Sequence, residues 1–412
     1  MSGRTTAVRV WRRAGAAVAV LWVVTMLVIV VATGSVEAAA PVGVDPVDGF
    51  GGWPVPPVDA TGLELLRTGL LRFDALWYLA IAADGYPATA EVPQAAAFLP
   101  GYPAVVAGVA ALLGGRLVIA GLLVSFVATV ASIVGLQRLA GLLTTPGTGD
   151  RAALQSATTV VALTFPTAFF LLTPYAESLL LATAVWALVL AVDDRPFASA
   201  ALAAAATVTR PVGVLLVVPL LLGVVARNRT PSGWWRDGDG RRHVLRRHVV
   251  PASGVGLGGV GLLAHGWIGW GDPFAVVAAQ EGWQRTTTFP LRTLWDGLRY
   301  GLDALDGGAT VYHLLDVLVF VLTVTGVAVL VRRREWPLVA HALVSVGLWL
   351  AQPFLGRPLM STPRFALAVP AVVLGLAVLV ARGEGWTRAI VPVSAVLLAV
   401  HLVLFTRWSF VF

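Results

Sequence analysis

Residues 117–136 read LVIAGLLVSFVATVASIVGL, twenty positions without a charge. As a helix rising 1.5 Å per residue, such a run covers about 30 Å, the thickness of a bilayer's hydrocarbon core. Working outward, further apolar stretches fall at 14–36, 97–113, 153–172, 178–192, 197–226, 249–270, 312–331, 337–354, 365–381 and 388–406. Of the 412 residues, 58% are hydrophobic and 12% charged, against about 25% charged in soluble domains. A water-soluble chain of this length cannot bury that much apolar surface. The sequence therefore reads as an all-α polytopic membrane protein. It contains no cysteine, which excludes disulfides, thiolate metal sites and cysteine nucleophiles.

All 29 basic residues are arginine and the net charge is +7. The absence of lysine fits the coding bias of a GC-rich genome, and the position of the arginines argues against nucleic-acid binding. Arg4, Arg9, Arg12 and Arg13 precede the first apolar stretch, seven arginines crowd 227–248, and Arg332–Arg334 form a run. The positive-inside rule makes all three cytoplasmic. Parity then requires 97–113, short and holding Pro100 and Pro103, to be a juxtamembrane wedge. It also requires 197–226 to make two short passes around Thr209-Arg210-Pro211.

The expectation is about eleven spans with a cytoplasmic N-terminus. The inner side then carries +12 and the outer side −5. The chain divides into a first span (14–36), an outer loop with an amphipathic helix and the wedge (37–113), and five spans (117–226). A basic cytoplasmic loop (227–248), one span (249–270), an outer loop (271–311) and four spans with an outer C-terminus (312–412) follow. The first apolar run, 23 residues long, exceeds the 7–15 of a signal core, so it is expected to anchor despite the small residues of Glu37-Ala38-Ala39-Ala40-Pro41. The Pro54–Pro57 strip is expected to be a stiff connector. The basic loop, with Trp234 and Trp235, is expected to lie on anionic headgroups.

Thr61–Gly85 predicts one amphipathic helix. Leu66, Leu70, Phe73, Trp77 and Ile81 form its apolar stripe, with Arg67, Asp74 and Tyr78 on another face. Arg67 and Asp74 would lie about 10.5 Å apart along the axis, too far for an ion pair. Two readings of Asp74 stand: a general base for a hydroxyl acceptor, or a solvated interfacial acid.

The run Arg72-Phe73-Asp74-Ala75-Leu76-Trp77-Tyr78-Leu79-Ala80-Ile81-Ala82, followed by Asp84-Gly85-Tyr86, resembles a motif of the PIG-V-like mannosyltransferases of the GT-C glycosyltransferase superfamily. Five further elements resemble that family in order: Phe98–Pro103, Phe165–Phe170 with Tyr175–Ser178, Thr209–Gly213, Gly271–Phe274 with Gln280 and Trp283, and Pro363–Phe365. Departures are Phe73 where tryptophan is common, Gly101 for leucine, and Leu172-Thr173-Pro174 before Tyr175.

The resemblance implies a GT-C-type helix bundle. It also implies inverting transfer of mannose from a polyprenyl-phosphate donor to a glycan, lipid or protein acceptor, on the outer face of what is expected to be a bacterial plasma membrane. Asp74 is then the expected base. Arg210 and Arg364 are the expected phosphate ligands, since a guanidinium grips an anion bidentately. Trp77, Tyr78, Tyr175, Glu177, Asp272 and Gln280 are the remaining expected substrate contacts.

The competing readings are an Arg210–Glu177 structural pair, an Arg364 snorkelling to headgroups, a Glu177 that closes a turn, and an Asp272 that caps a loop. The wedge is expected to wall the donor's lipid tail or simply to cap the bundle. His265, His313, His341 and His401 lack ligand spacing and no carboxylate cluster is evident, so no metal or other cofactor is expected. A GT-C enzyme for lipid-linked arabinose or glucose is the alternative within the fold. A transporter or flippase is the alternative outside it, although no internal repeat is seen.

Overall fold

The computed structural model describes residues 2–34, 62–87, 93–144, 150–225, 235–236, 238–282, 285–360 and 362–407. The Glu37–Pro41 stretch, the Pro54–Pro57 strip, Thr61 and Trp234 lie outside them.

Eighteen α-helices occur among the described residues. The first six are α1 (Ser2–Gly34), α2 (Gly62–Leu70), α3 (Asp74–Asp84), α4 (Gly101–Leu112), α5 (Leu117–Leu142) and α6 (Asp150–Thr164). Then come α7 (Glu177–Val192), α8 (Pro196–Thr209), α9 (Val217–Leu222), α10 (Gly238–Val244), α11 (Val250–Trp270) and α12 (Ala275–Gly282). The last six are α13 (Pro290–Asp303), α14 (Val311–Arg332), α15 (Trp336–Ala351), α16 (Thr362–Leu367), α17 (Pro370–Ala381) and α18 (Glu384–Thr406).

Among the described residues, five helices are long and apolar enough to cross a membrane: Val8–Gly34, Leu117–Leu142, the continuous Gly238–Trp270, Val311–Arg332 and Glu384–Thr406. This is an all-α protein with the helices of an integral membrane protein. Eleven full-length spans are not what the helices show. Other apolar stretches form shorter helices, such as the 12 residues of α17 and the 16 of α7. Hydropathy counts apolar residues but does not register where proline or glycine ends a helix.

One of these short apolar helices, α17, is enclosed along nearly its whole length. Every residue of α17 from Pro370 to Val380 is buried. Its approach to α14 is glycine on glycine, since a Cβ on Gly375 would stand 1.9 Å from the Gly326 carbonyl oxygen. Close backbone contact of this kind substitutes for the hydrophobic drive that lipid does not supply. The 97–113 wedge becomes the 12-residue α4, entered from a 3₁₀ turn at Pro93–Ala97; the helix is about 18 Å long and too short to cross. A Cβ on Gly101 would meet the Thr209 side chain and the Val208 carbonyl within 2.8 Å, so the start of α4 abuts the end of α8.

Two breaks set up the site. The first lies at Thr209-Arg210-Pro211, where Arg210 is extended at φ −150, ψ 145. Proline disfavours the helical conformation in the residue before it and removes a donor. A 3₁₀ segment, Pro211–Leu216, and the short α9 complete the 197–226 stretch. The second break corrects the expectation of one helix over Thr61–Gly85. The chain leaves α2 at Leu70 and starts α3 at Asp74.

Candidate active site

The α2–α3 break is held by tertiary contacts that local periodicity does not contain. Phe73 sits at φ 48, a conformation that costs an aromatic residue about 1–3 kcal/mol. Its ring packs 5.9 Å from that of Phe405 on α18. Beside it, the buried Arg72 donates through Nε to the Thr406 carbonyl at 3.3 Å, and the Arg72 carbonyl accepts from the Tyr175 hydroxyl at 2.9 Å. Burial pulls the Arg72 guanidinium down to about 9, with Tyr175 opposing. The bend makes Asp74 the first residue of the 11-residue α3, where the helix dipole favours a carboxylate.

Three more charges converge on Asp74. Glu177 is the first residue of α7, again at a helix N-terminus. Arg210 is the residue immediately after α8, at the end where the dipole favours a cation. Arg364 lies in α16. Its Nη2 stands 2.6 Å from Asp74 Oδ2, and its Nε donates to Glu177 Oε1. Arg210 Nη1 donates to the same Glu177 oxygen. The chain is thus Asp74–Arg364–Glu177–Arg210, drawn from four separate motifs.

Side-chain exposure grades these four residues. Glu177 is 2% exposed, Arg364 6%, Arg210 14% and Asp74 21%. Asp74 is therefore the acid that a molecule from outside reaches first. Glu177 Oε2 is buried and has no hydrogen-bond partner among the described residues. Such an orphan acceptor is costly unless something else satisfies it. Burial works against the Arg364 charge, but Asp74 and then Glu177 outweigh it and push that guanidinium up.

Aromatic side chains enclose the charges. The Arg364 guanidinium carbon lies 5.0 Å from the Tyr175 ring centroid and 5.3 Å from that of Phe170. Tyr78 packs edge-on against Tyr175 at 6.4 Å and against Phe98 and Tyr102 at 5.2 Å. Burial raises the Tyr78 hydroxyl, with Arg210 pulling it down.

Arg285 is a member that sequence reasoning missed. It donates through Nη1 to the Gln352 carbonyl at 3.0 Å. Its guanidinium carbon is 5.8 Å from the Phe365 ring, which Arg210 also approaches at 5.6 Å. Burial, with Arg210 and Arg364 nearby, lowers Arg285 to about 10. The only sequence signal for it was its place five residues after Gln280.

Asp74, Glu177, Arg210 and Arg364 are thus brought together, with Tyr78 and Tyr175 packed beside them. Arg364 is 5% exposed and does not snorkel. Trp77 instead stacks on Phe98 at 5.0 Å and 7° within an apolar cluster. Asp272 is exposed and accepts the Phe274 N–H at 2.8 Å, capping the loop before α12. Gln280 reaches back to the Val276 carbonyl at 3.4 Å. Among the described residues, neither Asp272 nor Gln280 bonds to the cluster: Asp272 turns onto the loop backbone before α12 and Gln280 onto the backbone of α12 itself. Among the described residues, no three His, Asp or Glu side chains lie close enough together to hold a metal ion.

The fold and site define an all-α membrane protein with a buried four-member ionic chain open at one carboxylate. Among solved structures it is similar to the crystal structure of the Archaeoglobus fulgidus oligosaccharyltransferase complex with Zn and sulfate. The likeness has 11% identity and a TM-score of 0.47 over 93% of this chain. The chain spans about half the length of that protein, 53%. No family model and no curated protein matches the chain, so the PIG-V-like resemblance stands on its motifs.

Proposed function

We propose that this protein is a membrane glycosyltransferase of GT-C type. In this reading it is an inverting mannosyltransferase that moves mannose from polyprenyl-phosphate-mannose to an acceptor hydroxyl on the non-cytoplasmic face. The eleven-span topology belongs to the same proposal. One observation carries it: the four motifs of the resemblance that hold Asp74, Glu177, Arg210 and Arg364 meet in space as one ionic chain.

In the proposed step the acceptor oxygen attacks the anomeric carbon as the bond from that carbon to the phosphate oxygen breaks. Asp74 takes the acceptor proton. The Arg364 contact engages Oδ2, which leaves Oδ1 for the hydroxyl. The departing phosphate gains negative charge, and Arg210 and Arg364 are placed to stabilise it. A guanidinium has five N–H groups, and the Glu177 contact uses one nitrogen of Arg210. Glu177 holds the two arginines in register, and its Oε2 is a ready acceptor for a sugar hydroxyl.

The test is a membrane assay with labelled polyprenyl-phosphate-mannose, run beside the arabinose and glucose donors. Wild type should transfer mannose, and Asp74→Asn should not, while inserting and purifying normally. Full activity in that variant would sink the base assignment. Transfer of arabinose or glucose alone would keep the enzyme class and change the sugar. Lipid analysis of a deletion strain identifies the acceptor as the glycan that stops growing.

A further inference from the structure

Helix α13, in the outer loop, carries three distinct stripes. Leu291, Trp295, Leu298 and Leu302 recur at spacings of 4, 3 and 4 and are 64%, 67%, 36% and 66% exposed. One residue on, about 100° around the helix, Arg292, Asp296, Arg299 and Asp303 repeat the same spacing. On the remaining side of the helix, Thr293, Gly297 and Gly301 are buried. The last stripe seats the helix. A Cβ on Gly297 would stand 2.4 Å from Leu359, and one on Gly301 2.6 Å from Val317.

We infer that α13 docks on a phospholipid leaflet, with its Leu291–Leu302 stripe among the acyl chains and its charged stripe in water. Continuity with the membrane-crossing surface identifies the occupant. Val317 belongs to α14, one of the five helices of crossing length. On the same side of that helix Leu318, Val321 and Val324 are 38%, 52% and 49% exposed. The apolar stripe of α13 therefore ends, at Leu302, close to an exposed apolar face of a helix of crossing length. A helix with separate apolar and charged faces lies in the plane of the interface.

The charged stripe sharpens the lipid chemistry. Arg292 pairs with Asp296 at 3.7 Å and Arg299 with Asp303 at 3.9 Å, so two cations meet two anions. Basic interfacial helices bind anionic lipid through surplus charge; this stripe has none. Docking is therefore driven by apolar area and is indifferent to headgroup charge. It also bears on the site. The segment leading into α13 is bonded to the end of α15 and the loop after it, with Thr288 N–H donating to the Ala351 carbonyl at 2.9 Å and Thr286 N–H to the Pro353 carbonyl at 3.2 Å. Leu359, beneath Gly297, lies in the same loop five residues before Arg364. The docked helix sets the height of that segment against the leaflet.

This inference needs a membrane-spanning chain and does not depend on the sugar chemistry. The chain contains no native cysteine, so single cysteines at Trp295, Leu298, Arg292 and Arg299 can each carry a fluorophore without background. The full-length protein is placed one copy per nanodisc of phosphatidylcholine, with and without phosphatidylglycerol, and quenched with nitroxide lipid or iodide. Labels at 295 and 298 should favour the lipid quencher over iodide by at least about twofold, and labels at 292 and 299 the reverse, equally in both lipids. Equal iodide access on both stripes would overturn docking. Shielding of 295 and 298 from both quenchers would also overturn it, because a second copy or another protein would then cover the stripe. Dependence on phosphatidylglycerol would overturn the charge-neutral account.

Discussion

Two buried ionic sites in this molecule use the same residue types and differ in how completely they are satisfied. In one, Arg357 meets Asp316 with two parallel hydrogen bonds, Nε to Oδ2 at 2.6 Å and Nη2 to Oδ1 at 2.7 Å. The side chains are 10% and 1% exposed, and the Arg357 guanidinium carbon lies 5.1 Å from the Tyr312 ring. Each carboxylate oxygen has its donor. In the other, Glu177 Oε1 takes two arginines while Oε2 has no partner among the described residues, and Asp74 remains one-fifth exposed at the end of the chain. A closed pair fixes a loop, whereas an open chain has capacity for chemistry. Burial and charge alone do not tell the two apart.

Single amide substitutions separate the two sites most sharply. Asp74→Asn should lower transfer by roughly 10²–10⁴-fold, the contribution of a general base, with the unfolding midpoint in detergent little changed. Asp316→Asn should do the opposite. Removing one charge from a buried pair costs about 3–5 kcal/mol, so scanning fluorimetry should show early unfolding, while transfer by the protein that remains folded stays near wild type. If Asp316→Asn abolishes transfer in folded protein, the contrast between the sites fails.

Apolar replacement of whole pairs extends the comparison. The double variant Asp316→Leu, Arg357→Met should regain most of the stability lost in the single one, because removing both charges also removes their desolvation cost. Replacing Glu177 and Arg364 in the same way should leave no transfer, whatever it does to stability. Recovered stability with activity in the first case, and no activity in the second, is the expected pattern.

Glu177→Gln keeps an acceptor but weakens the hold on two guanidiniums. A charge-assisted hydrogen bond contributes about 1.5–3 kcal/mol, so KM for the lipid-linked donor should rise roughly tenfold or more. An unchanged KM with a lower kcat would move Glu177 from positioning to the chemical step. The smallest effect belongs to Phe365→Leu, which removes the ring near both Arg210 and Arg285. Each cation–π contact contributes about 0.5–1 kcal/mol, which predicts a loss of a few-fold to about tenfold in kcat/KM.

Parts of this arrangement were legible in the sequence. The run at 117–136 reads as a helix of crossing length, and it lies within one that is long and apolar enough to cross, Leu117–Leu142. Thr209-Arg210-Pro211 announces its own break, since proline acts on its immediate neighbour. The motifs also pointed to Asp74, Glu177, Arg210 and Arg364. Their pairing was visible only in part: an Arg210–Glu177 pair was one reading of the sequence and does form, but Asp74 looked solitary because its local candidate, Arg67, is out of reach, while its actual partner is Arg364. Arg285 carried no motif. The turn at Phe73 was equally hidden, because its φ of 48 is held by Phe405, Thr406 and Tyr175, all distant in the chain.

The sequence by itself determined the apolar character of the protein, the proline and glycine positions where helices stop, and which charges stand among apolar residues. These follow from neighbours along the chain, where hydropathy and backbone sterics act over a few residues. The tertiary structure alone decided that Arg364 bridges Asp74 and Glu177 and that α17 is enclosed by its neighbours. It also decided that Asp74 opens a helix instead of riding mid-way along one. Those outcomes depend on side chains packed at close range across the fold, where a shift of one residue in a helix start turns a carboxylate toward or away from its partner.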